Sequence, residues 1–412
     1  MEVVCHSCAG LDVHAKTVVA CLLQDGKTAV RTFSTMTDDL LALSDWLVAA
    51  GCTQVAMGST GVYWKPVFNL LEGQMAVLLV NAQHVKAVPG RKTDVRDCEW
   101  LAQLLRHGLL RASFIPPAEI RELRELTRYR QTLVKEQAAV ANRIQRLIES
   151  GNIRLGQVAS DVLGVSGRAM LKALAEGERD AAKLAALAKG SLKQKEAELR
   201  RALHGRLTTA QCFVLRELLA RMAELDAALA RVKDEITREV EGGPNPFVAE
   251  AIELLQTIPG VGERVAEVVV SEIGVAMSCF PTAGHLASWA GVCPGNHESA
   301  GKRKSGKTTK GNVYVRTALI QAAWAATHTR DTCLAAQYRR LVKHKGKQRA
   351  LVAVGHSILV IIYHVLKNHA SYQELGGEYF DRQNVERQRQ QFIRKLEGLG
   401  LKVTVEELPV AA

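Results

Sequence analysis

Apolar and polar positions alternate in three distinct ways along the chain, and each predicts a different kind of element. The first stretch has a short period. An apolar run ending in Gly10-Leu11-Asp12-Val13, then Thr17 to Leu23, then Ala29 to Ser34 read as three strands, with Asp25-Gly26 as the hairpin turn between the last two. A helical period follows over Leu40 to Ala50, then a short strand at Gln54 to Met57, a helix near Trp64 to Leu71, a strand at Met75 to Asn81 and a helix from Asp94 to Arg106. The β-β-β-α-β-α-β order, closed by that last helix, predicts a mixed sheet with helices on its faces.

From Ile120 to Val240 the strand signal disappears and long charged helices take over. Leu215, Leu218, Met222, Leu225, Leu229, Val232 and Ile236 follow strict three-four spacing, which defines a coiled-coil seam. A weaker seam, Leu126, Leu133, Val140, Ile144 and Leu147, is broken at Arg130 and Gln137. The two helices could pair antiparallel, as a spacer or dimerisation arm without chemistry of its own. Residues 151 to 210 are rich in Ala, Lys and Gly and carry no motif. Near Gly242-Gly243-Pro244 the pattern breaks again, and Ile258-Pro259-Gly260-Val261-Gly262 leads into a helix from Arg264 to Ile273. Such a turn resembles a helix-hairpin-helix element, in which the backbone N–H groups near Gly260 and Gly262 would hold a phosphate. It also serves as a plain helix connector. Leu351 to Leu366 is the most apolar run, but His356, Ser357 and His364 interrupt it and it falls short of the roughly 20 residues of a membrane span. A buried helix is expected there, and a charged helix from Val385 to Leu396 with a short tail beyond it.

Composition sharpens this picture. Only 5% of the 412 residues are aromatic, against 47% hydrophobic overall, and Ala and Leu are abundant, which disfavours an all-β fold. The N-terminus, MEVVCHSCAG, has no basic region ahead of an apolar core, so no secretory signal is expected and the chain reads as cytoplasmic. Nine irregularly placed Cys then read as reduced core residues; Cys5-His6-Ser7-Cys8 invites a zinc reading, but no second ligand pair follows. The net charge is +12, and its location says more than its size. Residues 1 to 115 balance 10 basic against 10 acidic side chains, whereas residues 281 to 350 carry 7 Lys and 6 Arg against Glu298 and Asp331, a net of +11. A local field of that size is the footprint of a polyanion, most often nucleic acid.

Two constellations could carry chemistry. Asp12 ends the first strand, and Asp94 and Asp97 open a helix. Carboxylates converging from a strand and a facing helix are what Mg²⁺ needs to act on a phosphodiester, although a turn Asp and two acids in the first turn of a helix are also ordinary. The second is the loop from Ala290-Gly291 through Ser299, Lys302, Arg303, Lys304, Lys307 and Lys310 to Gly311-Asn312 and the helix bearing Arg316. A Ser in a Gly- and Lys-rich loop is either a phosphate contact or a nucleophile activated by nearby cations or metal.

Gly10-Leu11-Asp12, Ser59-Thr60-Gly61-Val62-Tyr63-Trp64, Lys92-Thr93-Asp94-Val95-Arg96-Asp97, Ile258 to Gly262, and Ala290 through Asn312 with Arg316 together resemble the DEDD-type insertion-sequence transposases, also described as bridge-RNA-guided serine recombinases. The resemblance implies a RuvC-like, ribonuclease H-like α/β domain over 1–115, a coiled-coil helical region over 116–243, a mainly helical transposase domain over 244–370, and a C-terminal helix and tail over 371–412. It implies Mg²⁺ held by Asp12, Asp94 and Asp97, and Ser299 as the nucleophile that holds the strand as a phosphoserine. Lys302, Arg303, Lys304, Lys307, Lys310 and Arg316 would neutralise backbone phosphate. The implied partners are an element-encoded guide RNA, target and donor duplex DNA, and further copies of the chain, as a dimer and as a tetramer on DNA. No membrane is implied, and the expected location is the bacterial cytoplasm, at the nucleoid. One position departs from the pattern: the family's second acid, a Glu, should precede Ser59-Thr60-Gly61, and Gly58 stands there. Either the chain is inactive as written or another residue fills the role. Two other readings stay open at this point, a non-catalytic RNA- and DNA-binding protein on the same fold and a RuvC-like junction nuclease using metal-activated water.

Overall fold

The structure is a computed structural model and describes residues 3–24, 26–59, 61–80, 94–295, 297–299, 302–400 and 402–404. Asp25, Asn81 and the Gly90 to Thr93 segment, named above, lie outside the described residues, as do Asn296, Ala300 and Gly301. The chain divides into two compact units, Met1–Ile115 and Pro116–Ala412.

In the first unit, strands β1 (Ser7–Val13), β2 (Thr17–Gln24) and β3 (Lys27–Ser34) form an antiparallel meander. Helix α1 (Thr37–Ala49) leads to β4 (Gln54–Ser59), α2 (Trp64–Leu71) leads to β5 (Ala76–Val80), and α3 (Asp94–Arg106) closes the unit. β4 lies parallel to β1 and β5 parallel to β4, so the sheet order is β3-β2-β1-β4-β5. The mixed sheet and the element order match the expected α/β arrangement. Period-two alternation divides the core. Ala9, Leu11, Val13, Val18, Ala20, Leu22, Val55 and Met57 pack under α1 and α2, while Cys8, Val19, Cys21, Leu23 and Ala56 pack under α3 with Cys98, Leu101, Ala102 and Leu105. β1 is covered on both faces, so its apolar run is continuous rather than alternating. Cys5 and Cys8 are part of this core, and burial pushes the Cys8 thiol up to about 12. They behave as small apolar residues, as expected for reduced core cysteines.

The second unit is helical. Helix α4 (Ala118–Ser150) is followed by the short helices α5 (Val165–Ala175), α6 (Ala181–Ala186) and α7 (Glu196–Ala202), and then by α8 (Thr209–Gly242). α8 opens with a capping box between Thr208 and Gln211. α4 and α8 run antiparallel: Ser150 meets Gln211 at one end, and Glu136 and Gln137 meet Arg221 and Asp226 further along. Of the expected α8 seam, Leu215, Met222, Leu225, Val232 and Ile236 are buried, while Leu218 and Leu229 are only half-buried. The α4 seam differs from the expected one. Its buried line is Ile120, Leu123, Thr127, Arg130, Leu133, Val140, Ile144 and Ile148, with Leu126 and Leu147 only half-buried. Arg130 and Gln137 do not break the line, because each has a polar partner, Glu267 and Asp226 respectively. A buried polar group with a partner costs little, so the line continues through it.

Helices α9 (Phe247–Gln256) and α10 (Glu263–Ile273) follow, then α11 (Ala283–Trp289), the hairpin β6 (His297–Ser299) and β7 (Lys302–Ser305), and α12 (Val313–Thr327). The unit ends with α13 (Cys333–Lys345), α14 (Lys347–Asn368) and α15 (Tyr379–Gly398). At 22 residues α14 extends past the apolar run, and by length and composition it could cross a membrane. Its packing argues for a core helix: Ala350, Val354, Ile358, Leu359 and Ile362 are fully buried, Gly355 abuts Leu319 of α12, and the Tyr363 hydroxyl donates to the Phe280 carbonyl at 3.1 Å.

Candidate functional site

The first cluster is built by the alternation of β1. With Ala9, Leu11 and Val13 facing α1 and α2, Gly10 and Asp12 face α3. Gly10 has no steric alternative: a Cβ there would stand 2.1 Å from the Cys98 carbonyl oxygen and 2.6 Å from the Ala102 nitrogen. Its lack of a side chain lets the helix lie directly on the strand. α3 runs opposite to β1, since the Val4 N–H donates to Arg106 O at 2.9 Å, the Cys8 thiol donates to Ala102 O at 3.6 Å, and Gly10 meets Cys98. The first turn of α3 is therefore carried towards the end of β1 where Asp12 sits. Cys98 is near enough for the Asp12 charge to act on its thiol.

Asp12 is 17% exposed, and its Oδ2 lies 3.1 Å from His14 Nε2. Gly58 is its direct partner in the parallel register of β1 and β4. A Cβ at Gly58 would point to the same face, where its nearest neighbour is Leu101 Cδ1 at 3.2 Å, the tip of a flexible side chain. A Glu there would thus enter beside Asp12 with little displaced. Asp97 is half-buried one turn before Leu101; of Asp94 only the backbone, at the start of α3, is described. Among the described residues no group of three or more His, Cys, Asp or Glu side chains is arranged to hold a metal. Mg²⁺ prefers carboxylate oxygens, takes one or two of them and keeps several waters, so the donor chemistry at this end of the sheet suits it.

The second cluster is a loop closed at its base. Gly291, at φ +71°, and Gly311 stand back to back: a Cβ on the first would lie 2.7 Å from Gly311 N, and on the second 2.3 Å from Gly291 N. Above this pinch, Pro294 bridges Thr308 and the Gly295 N–H donates to Lys307 O at 2.9 Å. β6 and β7 continue the hairpin outward, with Ser299 opposite Lys302 at its last pair. Of Ser299, Lys302, Arg303 and Lys304 the side chains lie outside the described residues. Lys307 and Lys310 are exposed near the base, and Arg316 is half-buried on α12. Gly291 and Gly311 are needed here for backbone contact.

The same distinction separates Gly260 from Gly262. Gly260, at φ +85°, is pressed on α12, where a Cβ would stand 2.3 Å from Ala322 O. Gly262 is exposed at the N-cap of α10 with open space around it. Only the second is open to a ligand.

A buried polar network holds the loop base, and sequence reasoning missed it. Glu272 on α10 is fully buried. Arg128 donates to both its carboxylate oxygens, at 2.6 and 2.8 Å, and Asn312 Nδ2 donates to Oε2 at 2.7 Å. Arg124 adds a bond to the Glu272 carbonyl at 2.7 Å and an ion pair at 3.3 Å. Asn312 is also the N-cap of α12, accepting from the Tyr314 and Val315 N–H groups at 2.9 and 3.0 Å. Arg128 stacks over the Tyr314 ring at 4.3 Å. Burial pulls the Arg124 guanidinium down to about 10. Burial also pulls on Arg128, but the hydrogen bonds and charge of Glu272 outweigh it and raise the group. Glu267 and Glu272, two acids in the otherwise apolar segment Val265–Ile273, were the available signal.

Comparison with known proteins places the chain in a family. The family described as a DEDD transposase of the IS110 type matches residues 9–152, and the "Transposase IS116/IS110/IS902 family" matches residues 252–339, together more than half of the chain. The pilin gene-inverting protein of Moraxella bovis is 29% identical over 31% of this chain and 41% of its own length. That of Moraxella lacunata is 30% identical over 29% of this chain and 38% of its own. An insertion element IS110 protein of Streptomyces coelicolor is 29% identical over 29% of this chain and 30% of its own. The chain thus spans between 30% and 41% of the length of these relatives. The two matches frame the two clusters, Asp12 to Asp97 in the first and Gly260 to Arg316 in the second, and on them the chain belongs to the IS110-type family of DEDD insertion-sequence transposases.

Proposed function

We propose that the protein is an RNA-guided DNA recombinase of a bacterial insertion sequence that cleaves and exchanges strands through Ser299. One observation carries this reading: Asp12 and Gly58 are paired on the sheet face covered by α3, whose first turn supplies Asp94 and Asp97. Asp12, Asp94 and Asp97 would hold Mg²⁺. Bound there, the ion would polarise a phosphodiester and stabilise charge on its oxygens. Ser299 Oγ would bond to phosphorus, one P–O bond of the strand would break, and the leaving oxygen would take up a proton. The phosphoserine ester so formed keeps the phosphodiester count unchanged, so a second strand's hydroxyl can reverse the step and complete an exchange. Lys302, Arg303, Lys304, Lys307, Lys310 and Arg316 would neutralise phosphate around Ser299. The exposed Gly262 N-cap would add a backbone contact, in a helix-hairpin-helix-like turn whose Gly260 serves packing. Base pairing by the guide RNA would supply sequence choice, a division of labour known from other RNA-guided systems. The α4–α8 pair would serve as a coiled-coil arm for dimers, and for tetramers on DNA.

Gly58 supports a second reading. With no carboxylate beside Asp12, the chain as written would bind nucleic acid without cutting it. Gly58→Glu decides between the two. In the first reading it confers Mg²⁺-dependent cleavage and a protein–DNA adduct on denaturing gels, and Ser299→Ala in that background abolishes the adduct. An adduct that survives Ser299→Ala sinks Ser299 as nucleophile. Cleavage that survives without any adduct supports the junction-nuclease alternative.

A further inference from the structure

Beyond the loop that carries Ser299, the densest run of positive charge in the second unit is the elbow between α13 and α14. Arg339, Arg340, Lys343, Lys345, Lys347 and Arg349 fall within eleven residues, and Thr332 to Gln373 contain no acid at all. The two helices are joined by Gly346 alone, at φ +75°, so the last turn of α13 and the first turn of α14 are adjacent. Arg340 is taken up in a stack on Phe380 at 4.4 Å. The other five are exposed, and among the described residues none of them forms an ion pair with an acid.

Lys343 and Lys345 suit the last turn of α13, but the position of two others is unfavourable for folding alone. Lys347 and Arg349 occupy the first turn of a 22-residue helix that has no acid in that turn and no side-chain cap. Cations at a helix N-terminus oppose the helix dipole, where acids would stabilise it. Helix stability therefore does not account for these two residues, whereas an anionic partner does: it would meet their charges together with uncapped backbone N–H groups. Arg339 to Arg349 include no Phe, Tyr or Trp, and the neighbouring Phe380 ring is already taken up by Arg340, so the run offers unpaired bases no stacking platform of its own. Charge without stacking groups suits the phosphate backbone of a duplex and reads no sequence.

We propose that the α13–α14 elbow is a second, sequence-independent docking surface for the backbone of duplex DNA, separate from the Ser299 loop. The choice of DNA over RNA rests on the transposase reading; the site itself rests on the charge and geometry of the elbow. The test is binding of the full chain to a random-sequence DNA duplex of about 30 base pairs across a salt series, with each phosphate contact adding about −0.9 to the slope of log affinity against log salt. The elbow variant carries Arg339→Gln, Lys343→Gln, Lys345→Gln, Lys347→Gln and Arg349→Gln. Its slope is expected to be shallower by about four, so that the loss of affinity between about 50 and 200 mM salt shrinks roughly two-hundredfold. Its melting temperature should change little, since removing Lys347 and Arg349 from a helix N-terminus offsets removing Lys343 and Lys345 from a helix C-terminus. If the five-fold variant does not fold, Lys343→Gln with Lys347→Gln is expected to give a slope shallower by about two. An unchanged slope in a folded variant overturns the proposal. So does loss of binding to duplex RNA of the same length with DNA binding retained, which would assign the elbow to RNA. Failure of the unmodified chain to bind DNA at all overturns the transposase reading along with it, so the two failures are distinguishable.

Discussion

The two candidate clusters are held by opposite kinds of force. In the first unit α3 is kept on the sheet by apolar packing and by the absence of a side chain at Gly10, and Asp12, paired with His14, sits at the margin of that core. In the second, the base of the Ser299 loop is held by buried charge, with Glu272 shared among Arg128, Arg124 and Asn312. Apolar packing is non-directional and tolerates small displacements. A buried ion pair is directional and costly when half of it is lost. The first arrangement can therefore admit a larger side chain at Gly58, where only the Leu101 tip is close, while the second ties the loop base to a single geometry.

The largest expected effect tests the second half of this comparison. Glu272→Ala leaves two partly buried guanidinium groups and Asn312 without their acceptor, and should destabilise the second unit by up to about 3–5 kcal/mol. Hydrogen exchange should show the loss over α4, α10 and α12 and not over the strands. Replacing Glu272, Arg128 and Arg124 together by apolar residues of similar volume should recover most of the stability; no recovery would mean that the network is more than mutual compensation. Next is Gly10→Ala, whose Cβ meets backbone that cannot rotate away, at a cost of about 1–3 kcal/mol or somewhat more. Its thermal effect should be confined to the first unit. Gly58→Glu should be mild by contrast, under about 1.5 kcal/mol, because only the Leu101 tip must yield. A large loss of stability would show that this face is less adaptable than its packing implies. The smallest effect is chemical. Alkylation at neutral pH should modify the exposed Cys279 and spare Cys5, Cys8, Cys21, Cys52 and Cys98 until denaturant is added. The Cys21 thiol is raised by its hydrogen bond to Cys98 and by burial, and burial raises Cys52. Rapid labelling of Cys8 or Cys21 would contradict a tightly packed α3.

These differences follow what could be read from the sequence. The strand and helix order of the first unit was legible, down to Trp64–Leu71 and Asp94–Arg106, because each element carries its own period over enough residues. The α8 seam was legible for the same reason. The α4 seam was misread because Arg130 looked like an interruption, and its partner Glu267 is 137 residues away in sequence. The pairing of Gly291 with Gly311 and the role of Glu272 escaped for the same reason, since nothing local marks a contact across such distances. Asp12 and Gly58 could be singled out as candidates, but their direct pairing across β1 and β4 could not.

The sequence by itself determined the mixed sheet, the helical second unit and the concentration of positive charge in the C-terminal half. Period and composition are properties of neighbouring residues, and a chain carries them before it folds. Only the tertiary structure decided that Gly10 admits α3 to the sheet, that Gly58 lies beside Asp12, that Gly260 packs while Gly262 stays open, and that a buried carboxylate holds the base of the Ser299 loop. Steric exclusion and charge pairing act between surfaces that folding brings together, so their partners become visible only once the chain has closed on itself.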